Sequence, residues 1–168
     1  MNYKEKFNDL KARTSFEDDS ELFAFFDELP PVTVAETLFP WQGGDFKTGH
    51  WCSEVLIESN WFGKWFKTPF DSIPLLCYNQ DKKLYSNKTM NNGEATVWDL
   101  TFRGKTSATM VYDGIPVFDH FRKVDENTLI GVMNGKSIEG RRDVIDNGRY
   151  YFFYLEKLDA LPTEFVES

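Results

Sequence analysis

Residues 112–122 read Tyr-Asp-Gly-Ile-Pro-Val-Phe-Asp-His-Phe-Arg. The dipeptide Asp113-Gly114 favours a tight turn between antiparallel strands, and it separates two runs of strand-forming residues. Within the second run, Asp119, His120 and Arg122 fall within four positions of an otherwise apolar element. The stretch therefore predicts a β-hairpin with a polar site close to it.

The second run of this hairpin has mixed side chains on both of its faces. Because side chains alternate along a strand, each face collects every second residue. A simple half-buried strand has a solvent face that is polar throughout. Here both faces combine apolar and ionisable groups, which favours a barrel wall with one face towards a partly polar interior and the other under a helix. One face carries Ile115, Val117, Asp119 and Phe121, and the other carries Pro116, Phe118, His120 and Arg122.

After Asn60 the sequence consists of short runs with strand character. Glycine, asparagine and aspartate signals separate the runs, and short strands at such spacing are typical of a sandwich or a barrel. We expect at least six antiparallel strands, with hairpin turns at Asp113-Gly114 and at or after Asn134-Gly135. The predicted strands are Gly63–Lys67, Ile73–Asn79, Ala95–Arg103, Thr106–Tyr112, Ile115–Val124, Thr128–Met133 and Tyr150–Lys157.

The helices are predicted in the first third of the chain. Strands and helices do not alternate along the sequence, so the pattern argues against a series of βαβ units. The predicted segments are a polar, fraying helix at 2–14, a helix at Glu21–Leu29 capped by Ser20, a helical turn with a capping box formed by Thr33 and Glu36, a strand edge or turn at 39–44, and a short amphipathic helix at about 51–59.

Length and charge exclude several classes of protein. The chain of 168 residues fits a single domain, 1–168, with a helical part at about 20–60 and a β-rich part at about 61–157. The net charge of -8 argues against nucleic acid as a partner. No apolar run approaches the roughly 18 residues of a membrane-spanning helix, and no apolar run follows the basic residues at the start, so neither membrane insertion nor a signal peptide is expected.

The cysteines and histidines do not have the spacing of a metal site. Cys52 and Cys77 form no CxxC pair, and the sequence leaves two states open, a disulfide or reduced thiols; reduced thiols in a cytoplasmic protein are expected. We predict no structural zinc and no cofactor. The sequence leaves the oligomeric state open.

Recognisable motifs are spread over much of the chain. They are Thr48-Gly49-His50, Trp61–Phe66, Ile73-Pro74-Leu75, Phe102-Arg103-Gly104, Met110–Pro116, Asp119–Arg122 and Phe153-Tyr154-Leu155. Over about residues 20–157 they resemble the GXWXG protein family, whose named N-terminal domain is followed by a C-terminal domain of unknown function. The eponymous motif falls on residues 39–43, Phe-Pro-Trp-Gln-Gly, where Phe39 replaces the first glycine.

The resemblance has consequences for the fold. A Gly-x-Trp motif near the first strand is also a hallmark of the calycins, which are lipocalin-like barrels. The resemblance therefore implies a mainly β protein with a single antiparallel calycin-like β-barrel, in which the N-terminal helices plug or cover one end. It implies no established activity.

His50 and His120 are the only histidines in the sequence. A pair of histidines can bind a metal or haem, can be hydrogen-bonded structural residues, or can line a polar pocket. Asp119 precedes His120 on a strand, so it points to the opposite face and cannot orient the imidazole unless the strand has a bulge.

Two further groups of side chains have open interpretations. Arg103, Arg122 and Tyr112 can form an anion clamp, because an arginine holds a carboxylate or phosphate through two hydrogen bonds; alternatively, the arginines pair with nearby aspartates and fix the hairpins. Lys64 is either a surface lysine or, if buried, a base or Schiff-base former.

Aromatic side chains offer another possibility. Arg149-x-Tyr151 is similar to the head-group clamp of fatty-acid-binding barrels. The aromatic residues near residue 65 form either part of the core or a stacking site for a flat ligand. These residues are Trp61, Phe62, Trp65, Phe66 and Phe70.

These observations predict a non-enzymatic barrel that binds a small, largely apolar or amphipathic ligand with a polar or anionic end. We expect His120 and Arg122 to share a pocket with Tyr112, and His50 to approach it from the first third of the chain. The alternatives are a small enzyme that uses His120 as general acid or base, and a protein–protein adaptor with an aromatic surface patch. The predicted ligand-binding residues are His50, Lys64, Arg103, Tyr112, Asp119, His120 and Arg122.

Overall fold

The computed structural model describes residues 2–167. Its helices are α1 (Tyr3–Ala12), α2 (Ser20–Glu28), α3 (Val34–Thr37) and α4 (Cys52–Glu58). Its strands are β1 (Pro40–Asp45), β2 (Trp61–Thr68), β3 (Asp71–Tyr78), β4 (Leu84–Ser86), β5 (Ala95–Phe102), β6 (Lys105–Tyr112), β7 (Val117–Asp125), β8 (Thr128–Gly135) and β9 (Tyr151–Lys157).

Eight of the nine strands within residues 2–167 close into an antiparallel barrel. Neighbouring strands follow the order β2-β1-β9-β8-β7-β6-β5-β3, and pairing between β3 and β2 completes the ring. Trp65 lies opposite Ile73 at this closure, while β4 pairs with β3 outside the ring. The predicted mainly β fold, a single antiparallel barrel with N-terminal helices, is confirmed.

The seven predicted strands are present, and their ends differ from the prediction by two residues at most. The barrel also needs β1, whose Gly43 and Gly44 are weak strand formers. Gly43 leaves room for the Trp61 ring, since a Cβ atom there would lie 2.2 Å from it. The three residues of β4 are too few for alternation to identify a strand.

The predicted hairpin turn at Asp113-Gly114 is present, since the chain reverses there between β6 and β7. A Cβ atom on Gly114 would lie 2.2 Å from the carbonyl oxygen of Asn92, so this turn needs glycine. Gly135 instead ends β8, where it lies opposite Val117. The reversal before β9 falls in the following segment, residues 136–150, and the prediction allowed for this alternative.

The helices pack more closely against the outer surface of the barrel than their amino-acid composition predicts. The prediction of a fraying first helix is wrong, because an Asn2 capping box starts α1 and its Phe7 and Leu10 are fully buried. Ser20 is the first residue of α2 rather than its cap. The capping box of Thr33 and Glu36 is confirmed at the start of α3. Within residues 2–167, no helix has the length and apolar character that crossing a bilayer requires.

Apolar side chains pack on both sides of the barrel wall. One cluster fills the interior and includes Trp41, Phe66 and Phe121. A second cluster lies between the outer surface of the sheet and the helices α1 and α2, and it includes Phe26 and Phe152. The strands of this wall are therefore apolar on both faces, which explains the mixed pattern of β7.

Candidate functional site

The interior core leaves a cavity at one end of the barrel. Its volume is about 310 Å³, whereas the interior of a protein is normally packed without large voids. The walls are mainly apolar side chains from the strands, from α4 and from the segment 136–150. They include Val55, Leu56, Leu75, Val117, Met133 and Phe153.

A buried polar cluster of Lys64, Tyr112 and Asp119 lies on the wall of this cavity. The ammonium nitrogen of Lys64 lies 2.9 Å from Oδ2 of Asp119, and their side chains are 4% and 2% exposed. Lys64 also donates hydrogen bonds to the Tyr112 hydroxyl (3.1 Å) and to the Pro74 carbonyl (3.4 Å). The Tyr112 hydroxyl donates to Oδ2 of Asp119 (2.9 Å). The cluster thus pairs one buried cation with one buried anion.

The irregular backbone of β2 explains why Lys64 faces inward. The register between β2 and β3 shifts on both sides of Gly63, and such a bulge re-aims the neighbouring side chains. A Cβ atom on Gly63 would lie 2.0 Å from the carbonyl oxygen of Trp41, so only glycine fits between β1 and β2. As a result, both Trp61 and Lys64 line the cavity.

Burial keeps the neutral groups of this cavity protonated. Burial raises the pKa of Tyr112 well above its ordinary value, and the Asp119 carboxylate raises it further. The phenol therefore stays a hydrogen-bond donor to Asp119. Burial also raises the pKa of the Cys52 thiol to about 12, so this wall residue is no thiolate nucleophile.

His120 lies on the other face of β7, with its ring stacked on Phe102 at 4.1 Å. Its Nδ1 lies 3.0 Å from the Thr109 hydroxyl, and its Nε2 lies 3.3 Å from the side-chain nitrogen of Asn134. The Asn134 side-chain oxygen accepts from the backbone N–H of Gly135 (2.9 Å), and the amide nitrogen can only donate. Nε2 of His120 is therefore the acceptor and the proton is on Nδ1. Burial lowers the pKa of His120 to about 4. This histidine is neutral and structural in its contacts.

Arg122 also lies on the outer face of the barrel wall, under α2. Its guanidinium donates to the carbonyl of Phe26 (3.0 Å) in the last turn of α2 and to the carbonyl of Phe102 (2.7 Å). It also stacks over the Phe26 ring at 4.4 Å. The prediction that His120 and Arg122 share a pocket with Tyr112 is therefore wrong. Alternation places Asp119, not its neighbours, on the cavity side.

Arg103 does not join an anion clamp with Arg122 and Tyr112 either. It makes two hydrogen bonds, of 2.7 and 2.8 Å, with the carboxylate of Asp27 in α2. Its guanidinium lies 4.0 Å from the centre of the Phe23 ring. Arg103 thus ties the β5–β6 turn to α2, which agrees with the alternative that the arginines brace the fold.

His50 lies behind the cavity wall rather than in it. Its Nδ1 accepts a hydrogen bond from the backbone N–H of Cys52 (3.1 Å), and its Nε2 donates to the carbonyl of Val144 (3.0 Å). Burial lowers the pKa of His50. The ring joins the start of α4 to the segment 136–150, and both elements line the cavity.

The proposed Arg149-x-Tyr151 clamp is divided between two places. Arg149 donates to the carboxylate of Asp19 (2.7 Å), the residue that precedes α2 at its N-terminal end. Tyr151 lines the cavity, and its hydroxyl donates to Asp45 at 2.9 Å. The two side chains therefore do not hold one head group.

The aromatic residues near residue 65 also separate. Trp61 and Phe66 belong to the interior core, whereas Phe62 and Trp65 pack in an outer cluster. Phe70 is 71% exposed. A single stacking site formed by all five is ruled out, since β2 distributes them over both sides of the wall.

Two arginines at the mouth of the cavity were not identified from the sequence. Arg141 and Arg142 are exposed residues of the segment 136–150 that line the cavity. Arg141 donates to the side-chain oxygen of Asn91 (3.3 Å), and the Arg142 guanidinium lies 5.8 Å from the Trp51 ring. Their only sequence signal is an arginine doublet in a long connection.

The described residues contain no group of three or more histidine, cysteine, aspartate or glutamate side chains that could hold a metal ion. The absence of zinc stays a prediction, which elemental analysis of the purified protein checks. One zinc per chain would contradict it.

Comparisons with other proteins identify the family to which this closed antiparallel barrel belongs. A family model described as GXWXG protein matches residues 24–82, and one described as a domain of unknown function (DUF4334) matches residues 93–157. A solved structure, a crystal structure of a protein from Thermomonospora curvata, is 31% identical, with a TM-score of 0.79 over 94% of this chain and 99% of that chain. The chain belongs to the GXWXG protein family. No curated protein matches the sequence.

The eponymous motif has a structural explanation. Trp41 is buried in the interior core and donates its indole N–H to the carbonyl of Thr37 (2.8 Å). Gly43 leaves room for the Trp61 ring. Phe39, which replaces the first glycine, is 39% exposed and lies under the Lys157 ammonium at 4.4 Å. Because the Phe39 ring is accommodated there and partly exposed, this position does not require glycine in this chain.

Proposed function

We propose that this protein binds a small, largely apolar molecule with a polar end inside the barrel. The observation that carries the proposal is a cavity with apolar walls around a buried Lys64–Asp119–Tyr112 cluster. Ligand sites in proteins have this character, with apolar walls and a few polar groups that fix the orientation. The walls would hold the body of the ligand, and the polar cluster would set its direction.

The size of the cavity supports a ligand rather than a packing defect. A closed apolar void of about 310 Å³ would forfeit about 7 kcal/mol of packing, at roughly 24 cal/mol per Å³, and the open mouth beside Arg141 and Arg142 lowers this value. Association also costs translational and rotational freedom, so this value is an upper bound for an apolar ligand without polar contacts. It corresponds to a dissociation constant on the order of 10 μM.

The two alternatives from the sequence have less support. An enzyme that uses His120 would need the imidazole in the cavity, whereas the ring stacks on Phe102 on the opposite face of β7. An adaptor surface would need a continuous apolar patch. Phe70 and Trp98 form an exposed edge-to-face pair with centroids 5.6 Å apart, but a pair of rings is small for such a surface.

Helix α4 offers a matched pair of variants for the test. Val55 lines the cavity, whereas Ile57 on the same helix is 70% exposed. Val55→Trp places an indole in the cavity, and Ile57→Trp adds the same side chain towards solvent. Binding is measured by the fluorescence of anilinonaphthalene sulfonate and by calorimetry with dodecanoate.

We expect micromolar binding to the parent protein. Val55→Trp should weaken binding at least tenfold, and Ile57→Trp should change it less than twofold. Absence of binding to the parent protein, or equal binding to both variants, contradicts the proposal.

A further inference from the structure

Asp119 has a second carboxylate oxygen that is available to a ligand. Oδ2 receives the contacts of Lys64 and Tyr112, while Oδ1 makes no hydrogen bond with any residue of the described range 2–167. Within the same range, every fully buried side-chain nitrogen and oxygen has a partner. Oδ1 therefore faces free space in the cavity that Asp119 lines. A carboxylate oxygen that faces the cavity can accept a hydrogen bond from a donor on the ligand.

The charge balance of this cluster determines which donor fits. Lys64 is already paired with Asp119 at 2.9 Å, so the cluster has no excess positive charge for an anion. A carboxylate placed here would lie beside the Asp119 carboxylate, and two carboxylates at one site cannot both stay ionised without a large cost. A hydroxyl is neutral and donates one hydrogen bond. It matches the free oxygen without adding charge.

The mouth of the cavity has the opposite character. Arg141 and Arg142 are exposed there, and neither forms a salt bridge with a carboxylate of the described residues. The carboxylates that flank the doublet in sequence, Glu139 and Asp143, do not line the cavity. Two unpaired arginines beside an apolar cavity, in a chain with a net charge of -8, favour an anionic group at this end.

We infer that the ligand of this cavity has two polar ends, a hydroxyl that donates to Oδ1 of Asp119 and a carboxylate at the mouth beside Arg141 and Arg142. Its chemical class is a hydroxylated, chain-like carboxylic acid whose apolar body lies against the walls. The inference rests on the proposed function and adds the orientation of the ligand to it.

Three probes of equal chain length separate the two ends: ω-hydroxydodecanoate carries both groups, dodecanoate only the acid, and dodecanol only the hydroxyl. A hydrogen bond to a charged acceptor contributes roughly 1.5–3 kcal/mol. We therefore expect ω-hydroxydodecanoate to bind the parent protein about tenfold more tightly than dodecanoate. Equal or tighter binding of dodecanoate overturns the inference without any variant being needed.

Variants then assign each end to its residues. The triple variant Lys64→Met, Tyr112→Phe, Asp119→Leu removes the cluster without leaving an unpaired buried charge. It should bind ω-hydroxydodecanoate and dodecanoate equally. Persistence of the tenfold preference in a folded triple variant contradicts the assignment of the hydroxyl to Asp119.

The mouth is tested with a double variant in which Arg141→Gln and Arg142→Gln are combined. The control is a second double variant, Lys82→Gln with Lys83→Gln, which removes an adjacent pair of cations outside the cavity lining and gives the same change in net charge. The arginine variant should weaken both acids at least fivefold and leave dodecanol unchanged. The lysine control should change none of the three. Equal effects of the two variants overturn the inference, while failure of all three probes to bind the parent protein refutes the proposed function itself.

Discussion

Removal of Lys64 alone should destabilise the protein strongly. Its ammonium and the Asp119 carboxylate lie 2.9 Å apart with side chains 4% and 2% exposed. Lys64→Met leaves that carboxylate buried without its cation, and breaking such a buried pair costs roughly 3–5 kcal/mol. For a chain of 168 residues, each kcal/mol lowers Tm by roughly 2–4 °C. We therefore expect Tm to fall by about 6–20 °C.

The control for this prediction is a surface pair of the same chemistry. Lys123 and Glu36 lie 2.7 Å apart with side chains 28% and 40% exposed. Lys123→Met should cost less than about 1 kcal/mol, because water screens an exposed pair. Both variants are measured by guanidinium denaturation followed by circular dichroism.

Compensation within the cluster provides the sharper comparison. The triple variant Lys64→Met, Tyr112→Phe, Asp119→Leu replaces the buried charges by apolar side chains, which is often neutral or stabilising. It should be more stable than Lys64→Met by about 2 kcal/mol or more. Equal losses in Lys64→Met and Lys123→Met, or a triple variant less stable than Lys64→Met, would refute the role of burial in this pair.

Two further predictions concern the outer face of β7. Arg122→Ala removes the hydrogen bonds to the carbonyls of Phe26 and Phe102 and should lower the free energy of unfolding by about 2–4 kcal/mol. The affinity for dodecanoate should stay within twofold. A loss of affinity without a loss of stability would show instead that Arg122 belongs to the ligand site. Because the pKa of His120 is lowered to about 4 in the folded protein, the unfolded state takes up the proton first as the pH falls below about 6.5. Protonation of His120 in the unfolded state should therefore lower the free energy of unfolding by roughly 2 kcal/mol between pH 7 and pH 5. The His120→Gln variant should lose less stability over this range. Identical pH profiles of the two proteins would contradict the lowered pKa.

The architecture could be predicted from local patterns because each strand after residue 60 combines alternation with a turn signal. Strand β1 could not be identified fully from the sequence, because the reason for its Gly43 is the Trp61 ring packed against it. This is a contact between residues distant in sequence. The packing of the first helix against the barrel was underestimated for a related reason, because it too depends on contacts between residues distant in sequence. Two apolar residues, Phe7 and Leu10, are enough to attach it to the barrel.

The site was harder to predict because both faces of β7 are apolar. Alternation correctly separated Asp119 from His120 and Arg122, but it could not tell which face lies inside. The outer face is buried under α2, so burial alone makes the two faces look alike. The inward direction of Lys64 depends on the bulge at Gly63, and the position of Arg141 depends on the path of a long connection.

The measurement that tests the central claim most directly is a titration with dodecanoate, followed by NMR of methyl-labelled protein. A ligand in the barrel cavity should shift the methyl signals of Val55, Leu75 and Met133, which line it. The methyl groups of Ile130 and Val132, in the cluster beneath α1 and α2, should stay within the experimental error. Unchanged cavity methyl signals at saturating dodecanoate, or shifts confined to the outer cluster, would contradict the account.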